Sequence, residues 1–203
     1  MRLFLTSKAS AVLDKIMPLL PKPTKELKVA FIRTAANPYP EKPWADDDRN
    51  RLVELGFQII DFDIAGKDKK EIRDVLSKVD IIFVAGGNTF YLLKKARESG
   101  FDEVAKKLIA EGKIYIGSSA GSIIVGPNIE PVKYFDDPNV AQSKSSQGFN
   151  LVDFVVLPHY GREKYELLHK MVITEFGKKY KLVTLTDEQF VLADGKNNQI
   201  LTI

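Results

Sequence analysis

Residues 113–126, KIYIGSSAGSIIVG, join a buried-strand pattern to a short apolar helical pattern through a serine-rich turn. Gly117, Ser119 and Gly121 in this stretch follow the spacing G-x-S-x-G. A sharp turn from a strand into a helix needs small residues on both sides of its centre, and it leaves the central hydroxyl exposed at the strand end. The stretch therefore predicts a nucleophile elbow in an α/β fold, with Ser119 at its centre. The alternative is a glycine-bearing turn whose serines cap a helix, and the spacing alone favours neither.

Two backbone amides near Ser119 are predicted to form an oxyanion hole. Ala120 begins the helix after the turn, so its amide is expected to point toward the place of a substrate carbonyl oxygen. A second amide is expected from Gly87 in the turn Gly86-Gly87-Asn88, where the lack of a side chain allows close approach of the backbone. This turn lacks the glycine spacing of a phosphate-binding loop. Asn88 is also placed to cap the helix that follows.

Composition limits the classes of function. The 203 residues, 44% of them apolar, fit one α/β domain over residues 1–203 with a substantial core. The 30 basic and 27 acidic residues show no block of like charge, so we expect a small-molecule partner and neither nucleic acid nor a membrane. The chain has no cysteine, which excludes disulfides, thiolate metal sites and a cysteine nucleophile. We predict no metal and no cofactor, and a monomer or small homo-oligomer.

The N-terminus predicts no export signal. Its apolar positions are interrupted by polar and charged residues too early for a signal peptide, and no stretch reaches the ~18 apolar residues of a membrane span. A cytoplasmic location is therefore the expectation.

Apolar runs of strand length alternate with helical patterns along the chain. The strand patterns cover residues 2–5, 27–32, 58–62, 80–84, 113–116, 152–157 and 181–185, and the helical patterns cover 9–19, 45–55, 69–78, 89–98, 101–111 and 163–176. Continuously apolar strands, each followed by a helix, are typical of a mostly parallel sheet covered on both faces. We predict a doubly wound α/β fold with an antiparallel edge, formed by residues 189–193 and 199–203 around a turn at 194–198. Residues 35–44 are predicted to form a long loop.

The carboxyl ends of the predicted strands carry the residues of a serine nucleophile. Ligands bind at this edge of open α/β sheets, and Ser119, His159 and Asp187 each follow a strand pattern. A serine needs a base to accept its proton, and the base needs a carboxylate to orient it. His159 is the predicted base, because His169 lies mid-helix, where a solvated or half-packed side chain is expected. Asp187 is the preferred carboxylate; the alternatives are Glu188, Asp136 and Asp137.

Three strings together resemble peptidase family S51, the group of peptidase E (aspartyl dipeptidase) and cyanophycinase. They are VAGGNTF at 84–90, GSSAG at 117–121 and PHY at 158–160. The resemblance covers most of the chain, as far as about residue 187. It implies a fold similar to class I glutamine amidotransferases and hydrolysis of peptide bonds after an N-terminal aspartate. Residue by residue, it implies Ser119 as nucleophile, His159 as base, the amides of Gly87 and Ala120 as oxyanion donors, and Asp187 as the acidic member.

The predicted substrate pocket differs from that of peptidase E. The aromatic residue that peptidase E places before its nucleophile is Ser118 here, and residues 125–134 also depart from the pattern. An aspartyl substrate needs a cation for its side chain, and Arg162 and Lys164 follow His159 closely enough to supply one. Asn88 and Ser118 complete the predicted substrate-binding residues.

The predicted activity is hydrolysis of short peptides, especially dipeptides with N-terminal Asp, through an acyl-enzyme. One alternative is a hydrolase of the same fold acting on an isoaspartyl or cyanophycin-like peptide or on an ester. The other is a binding protein without turnover, since a fold does not determine a substrate.

Overall fold

The computed structural model describes residues 1–141, 145–195 and 197–202. Each predicted strand and helix corresponds to an observed element, and the ends differ by at most three residues. The strands are β1 (Arg2–Thr6), β2 (Lys28–Ile32), β3 (Gln58–Phe62), β4 (Ile81–Val84), β5 (Ile114–Ser118), β6 (Val155–Leu157), β7 (Leu182–Thr184), β8 (Gln189–Asp194) and β9 (Asn197–Thr202). The α-helices are α1 (Ala9–Ile16), α2 (Pro43–Glu54), α3 (Lys69–Leu76), α4 (Thr89–Ser99), α5 (Phe101–Ala110), α6 (Ala120–Ile123) and α7 (Glu166–Phe176).

Within the described residues, seven strands form one sheet in the order β3-β2-β4-β5-β1-β8-β9. The neighbours from β3 to β1 are parallel, whereas β8 lies antiparallel to both β1 and β9. The prediction of a mostly parallel sheet with an antiparallel edge is confirmed. Lys196 of the predicted turn and Ile203 of the predicted last strand lie outside the described residues.

Strands β6 and β7 form a separate two-stranded parallel sheet. They do not extend the main sheet, because the edge of β1 that faces away from β5 is already paired with β8. His159 and Asp187, which follow β6 and β7, therefore approach the site from the small sheet. The expectation that Ser119, His159 and Asp187 all follow strands of one sheet is therefore wrong.

The four central strands, β1, β2, β4 and β5, are buried on both faces, which explains their continuously apolar sequences. Side chains of successive strand residues point to opposite faces. In β5, Tyr115 packs in the core with α3, α4 and α5, while Ile114 and Ile116 pack in the core with α1 and α2. None of the helices in the described ranges is long and apolar enough to cross a membrane.

The turn after β5 places Ser119 by tight backbone packing. Ser119 has φ 49° and ψ −108°, a sparsely populated conformation for a residue with a side chain. Its amide donates to the Thr6 carbonyl oxygen at 3.1 Å. The Ser122 Oγ lies 2.7 Å from the same oxygen and 2.8 Å from the Gly117 carbonyl oxygen, so its single hydrogen is shared between the two acceptors. These bonds hold α6 against the ends of β1 and β5, so Ser119 keeps its strained conformation.

The segment 35–44 is more regular than predicted. A 3₁₀ turn covers Thr34–Ala36, and α2 begins at Pro43, so Trp44 lies in the first turn of a helix and not in a loop. Proline is favoured at the first helical position because its ring presets φ and its missing amide would be unpaired there anyway. The Trp44 indole donates to the Gly86 carbonyl oxygen at 3.2 Å, which ties α2 to the turn after β4.

We predict that Gly121→Ala strongly destabilises the protein. A Cβ atom at this position would lie 2.0 Å from the carbonyl oxygen of Val84, so β4 or α6 has to move. The expected loss in the free energy of unfolding is at least about 3 kcal/mol, measured by urea denaturation. Gly86→Ala is the matched control, because neither glycine has a left-handed φ and the nearest atom to a Cβ at position 86 is the Ser119 Cβ at 3.2 Å. An equal loss in both variants would mean that the contact with Val84 is not responsible.

Candidate active site

A cavity of about 480 Å³ opens at the carboxyl ends of β4 and β5. Its walls come from the segment after β1, the start of α2, the turns after β4 and β5, residues 132–136 and the segment 158–165. The lining residues are Ser7, Lys8, Tyr39, Pro43, Trp44, Asp47, Asp48, Gly86, Gly87, Ser118, Ser119, Ile123, Val132, Phe135, Asp136, Pro158, His159, Arg162, Lys164 and Tyr165. Within the described residues, no group of three or more His, Asp or Glu side chains is arranged to hold a metal ion.

Ser119, His159 and Asp187 form a continuous chain of polar contacts in this cavity. Ser119 Oγ lies 3.2 Å from His159 Nε2, and His159 Nδ1 lies 2.8 Å from Asp187 Oδ1. The carboxylate can accept a hydrogen bond from Nδ1–H, and in that tautomer Nε2 carries no proton and can accept the hydrogen of the serine hydroxyl. The structure therefore brings together the three residues that the sequence singled out, in the order that general-base activation of a serine requires.

Ser7 is a site residue that the sequence analysis missed. Its hydroxyl donates to Asp187 Oδ1 at 2.7 Å, accepts from the His159 amide at 2.7 Å and lies 3.2 Å from His159 Nδ1. His159 has a φ of 61°, so this amide bond fixes a backbone conformation that few residues adopt. Ser7 follows the end of β1, and the strand-end rule applied to β1 as well would have found it.

The Asp187 carboxylate is stabilised in its ionised form. Burial alone would raise its pKa, but hydrogen bonds from His159, Ser7 and Arg162 outweigh burial and hold the pKa of Asp187 below its usual value. Arg162 Nε donates to Oδ2 at 2.6 Å, and its Nη2 also contacts this oxygen. Asp187 can therefore remain ionised beside the histidine, as an orienting carboxylate must.

The three alternative carboxylates have other partners or are exposed, although Asp136 lines the same cavity as His159. Asp136 accepts from the amide of Thr89 at 2.8 Å and from its hydroxyl at 2.5 Å. Asp137 accepts from the Asn139 amide and caps the 3₁₀ turn Pro138–Val140. Glu188 is exposed. None of them is hydrogen-bonded to His159 in the part of the chain that the structure describes.

The amides of Gly87 and Ala120 are free of intramolecular partners in the described part of the chain. Gly87 has a φ of 146°, and a Cβ there would lie 2.2 Å from the Ala35 carbonyl oxygen. The 34–36 turn approaches this position so closely that only glycine fits there. Ala120 is the first residue of α6, where helical amides have no intrahelical acceptor. Both donors remain available to an oxygen near Ser119.

The four predicted substrate-binding residues differ in placement. Asn88 is buried and outside the cavity lining. Its side-chain oxygen accepts from the Tyr91 amide, so it caps α4, and its side-chain nitrogen donates to the Asp137 carbonyl oxygen. Ser118 lines the cavity but is buried, and its hydroxyl accepts from the Ala9 amide at 3.2 Å. Arg162 and Lys164 also line the cavity, and the Lys164 ammonium lies 4.6 Å from the centre of its neighbouring aromatic ring.

Asp48 is a second residue that the sequence analysis did not identify. It lies on α2, lines the cavity and is only 2% exposed. Burial raises its pKa to about 6, against hydrogen bonds from Ser118 and Ser10 that favour the ionised form. Its Oδ1 accepts from the Ser10 amide at 2.8 Å. The charge pattern of α2 gives no signal for this burial, because Asp46 and Asp47 beside it are exposed.

His169 is buried, contrary to the expectation of a solvated or half-packed side chain. It is 2% exposed, and its Nε2 lies 2.9 Å from the carbonyl oxygen of Pro158. Its ring also contacts Phe135 and Tyr165. Because Pro158 directly precedes His159, this contact from α7 supports the segment that carries the candidate base.

The fold and the serine–histidine–carboxylate geometry together define an α/β protein of the serine-hydrolase class. The chain belongs to peptidase family S51, whose family model matches residues 3–201. It is accordingly a serine-type peptidase.

Individual relatives agree with this assignment. An uncharacterized peptidase of Listeria innocua is 31% identical over 204 residues, which cover 98% of this chain and 95% of the relative. A Peptidase E of a Nostoc species is 29% identical over 133 residues, which cover 66% of this chain and 52% of the relative. The crystal structure of a candidate Peptidase E protein from Listeria monocytogenes has a TM-score of 0.93 and 31% identity, and the match covers 100% of this chain and 98% of that one.

We expect Ser7→Ala to lower kcat for peptide hydrolysis by roughly 10- to 100-fold while KM changes little. Without the hydroxyl, the His159 amide loses its acceptor and Asp187 loses one donor, so the imidazole is held less well. Steady-state kinetics on a cleaved dipeptide measure the effect. Ser99→Ala is the matched control, because it removes a buried hydroxyl that bonds within α4. If both variants keep wild-type kcat, Ser7 does not position the histidine.

We expect the stability difference between Asp48→Asn and wild type to depend on pH. Below about pH 3 the Asp48 carboxyl is mostly protonated in both the folded and the unfolded state, since the unfolded-state pKa is 3.8. Between about pH 4 and 6 the unfolded chain ionises first, because burial raises the folded-state pKa, so wild type loses stability that the variant keeps. Above pH 6 the variant should have gained about 2 to 3 kcal/mol relative to wild type. Urea denaturation of both proteins at pH 4 and pH 7 measures this, and a constant difference would contradict it.

Proposed function

We propose that the protein is a dipeptidase-type serine peptidase in which Ser119 is the nucleophile, His159 the general base and Asp187 its orienting carboxylate. The observation that carries this proposal is the unbroken contact chain from Ser119 Oγ through the imidazole to the carboxylate, at the wall of a cavity. Similarity to relatives named Peptidase E supports a peptide as the substrate.

In the first half of the reaction Ser119 Oγ attacks the carbonyl carbon of the scissile bond, and its proton passes to His159 Nε2. Asp187 stabilises the imidazolium that forms. The negative charge on the carbonyl oxygen is stabilised by the amides of Gly87 and Ala120. The imidazolium then protonates the leaving amine, the C–N bond breaks, and an ester between the N-terminal residue and Ser119 remains.

In the second half water attacks this ester. His159 accepts a proton from the water, and the tetrahedral intermediate collapses with Ser119 as the leaving group, which regains its proton from the imidazolium. The products are a free amino acid and the shortened peptide. The same base and the same oxyanion donors serve both halves, so no further group is needed.

The cavity supports a short substrate with an acidic first residue. A volume of about 480 Å³ is of the size that holds a small ligand. Of the two cations predicted to bind an aspartyl side chain, Arg162 is paired with Asp187. Lys164 makes no ion pair among the described residues and lines the cavity, so we assign the substrate carboxylate to Lys164.

The test is hydrolysis of Asp-X, Glu-X, Ala-X and β-linked aspartyl dipeptides by wild type, with Ser119→Ala as the blank. We expect cleavage that depends on Ser119 and is fastest for Asp-X. Lys164→Ala should lower kcat/KM for Asp-X by roughly 10-fold or more and leave Ala-X nearly unchanged. Arg162→Ala should lower kcat for every cleaved peptide, because it removes a partner of Asp187.

Two other outcomes are informative. If no dipeptide is cleaved but a fluorophosphonate labels Ser119, the nucleophile is competent and the substrate belongs to another class, such as an ester or a longer branched peptide. If a folded protein is neither labelled nor active, the proposed function fails and a binding role replaces it.

A further inference from the structure

The cavity has one wall on each face of the main sheet. The helix α2 packs in the core on one face, through Ala45 and Leu52. Ile123 and Val132 line the cavity and pack in the core on the other face. Ser119, at the end of β5, lies between the two walls. A peptide whose scissile bond reaches Ser119 can therefore place one of its halves against each wall.

Lys164 belongs to the wall opposite α2. Its neighbour Tyr165 packs against Phe135, with ring centroids 5.7 Å apart, and Phe135 packs against the core that contains Val132. The proposed function places the acidic side chain of the first substrate residue on Lys164. This arrangement leaves the wall formed by α2 for the residue that follows the scissile bond.

Trp44 gives the α2 wall an apolar surface. Its indole Nε1 donates to the Gly86 carbonyl oxygen at 3.2 Å, and its ring packs edge-on against Tyr39, with centroids 5.4 Å apart. Because Nε1–H is the only polar group of an indole, the surface that remains is hydrocarbon. Trp44 lines the cavity beside Pro43 and Tyr39 and is 36% exposed, so a ligand can pack on this surface.

Trp44 also lies close to the reacting groups. A Cβ atom added at Gly86 would lie 3.2 Å from Ser119 Cβ and 3.6 Å from Trp44 Cδ1, so the nucleophile and the indole flank the same glycine. Gly86 directly precedes Gly87, whose amide is a predicted oxyanion donor. In the residue after the scissile bond, only the nitrogen and Cα separate the side chain from the carbonyl carbon. That side chain is therefore within reach of the indole while the carbonyl is held beside Ser119.

We propose that Trp44 is the binding surface for an apolar side chain on the residue that follows the scissile bond. This inference rests on the proposed function and adds to it the class of leaving residue. The hydrogen bond to Gly86 and the contact with Tyr39 hold the ring in place, so little conformational freedom is lost when a side chain packs on it. Leucine at this position is favoured over alanine.

The kinetic test compares hydrolysis of Asp-Leu and Asp-Ala, which differ only in the side chain of the leaving residue. We expect kcat/KM of wild type to be roughly 10-fold higher for Asp-Leu. Trp44→Ala should bring the ratio of the two values close to one. Loss of the bond to Gly86 slows both substrates alike, so the ratio reports only the contact with the leaving residue. Val53→Ala is the matched control and should keep the ratio, because it removes an exposed apolar side chain of α2 outside the cavity lining.

A binding test needs no change at position 44. Trp44 is the only tryptophan of the chain, so tryptophan fluorescence reports on this wall alone. The non-cleaving Ser119→Ala protein is titrated with Ala-Leu and with its isomer Leu-Ala, and calorimetry records saturation. We expect Ala-Leu to shift the emission to shorter wavelength, because leucine displaces water from the indole, and Leu-Ala to leave the emission nearly unchanged. This result remains decisive if Trp44→Ala fails to fold.

The outcomes separate this proposal from the proposed function. The subsite is overturned, even if wild type hydrolyses dipeptides, by any of three results: no preference for Asp-Leu in wild type, a preference that survives Trp44→Ala, or equal emission shifts with both isomers. If wild type cleaves nothing while Ala-Leu alone shifts the emission, the proposed hydrolysis fails and the subsite stands. If neither isomer binds to Ser119→Ala, both proposals fail.

Discussion

The close contact between Gly121 and the Val84 carbonyl oxygen is the constraint on which the site depends. Because Gly121 carries no side chain, α6 can pack directly against the end of β4. The turn between β5 and α6 can therefore be short and sharp. That turn holds Ser119 in a strained backbone conformation, fixed by bonds to the Thr6 and Gly117 carbonyl oxygens. The nucleophile is therefore placed by backbone packing, and its own side chain remains free for chemistry.

The site is assembled from two sheets, and a small number of polar contacts joins them. Ser119 and Ser7 follow strands of the main sheet, whereas His159 and Asp187 follow β6 and β7 of the small sheet. Ser7 bonds to both His159 and Asp187, and the Ser119–His159 contact is the second link. Any shift of one sheet against the other would break the contact chain, so packing between the sheets contributes directly to the alignment of the reacting groups.

Burial and hydrogen bonding act differently on the carboxylates of the site. Asp187 is surrounded by donors and stays ionised, while burial raises the pKa of Asp48 and Asp136. Asp48 and Asp136 line the same cavity as Ser119, and so does Lys164, which forms no ion pair among the described residues.

The sequence by itself determined the order of strands and helices along the chain and the parallel core with its antiparallel edge. It also singled out Ser119, His159 and, as the preferred carboxylate among four, Asp187, which the structure brings into contact. These features are encoded locally, since apolar periodicity, glycine spacing and strand ends depend on neighbours in the chain. Only the tertiary structure decided that β6 and β7 form their own sheet, that Ser7 joins the contact chain, and that Arg162 pairs with Asp187. It also decided that Asp48 and His169 are buried. The reason is that such contacts join residues far apart in the chain, and their energies depend on burial and distance, which no local pattern contains.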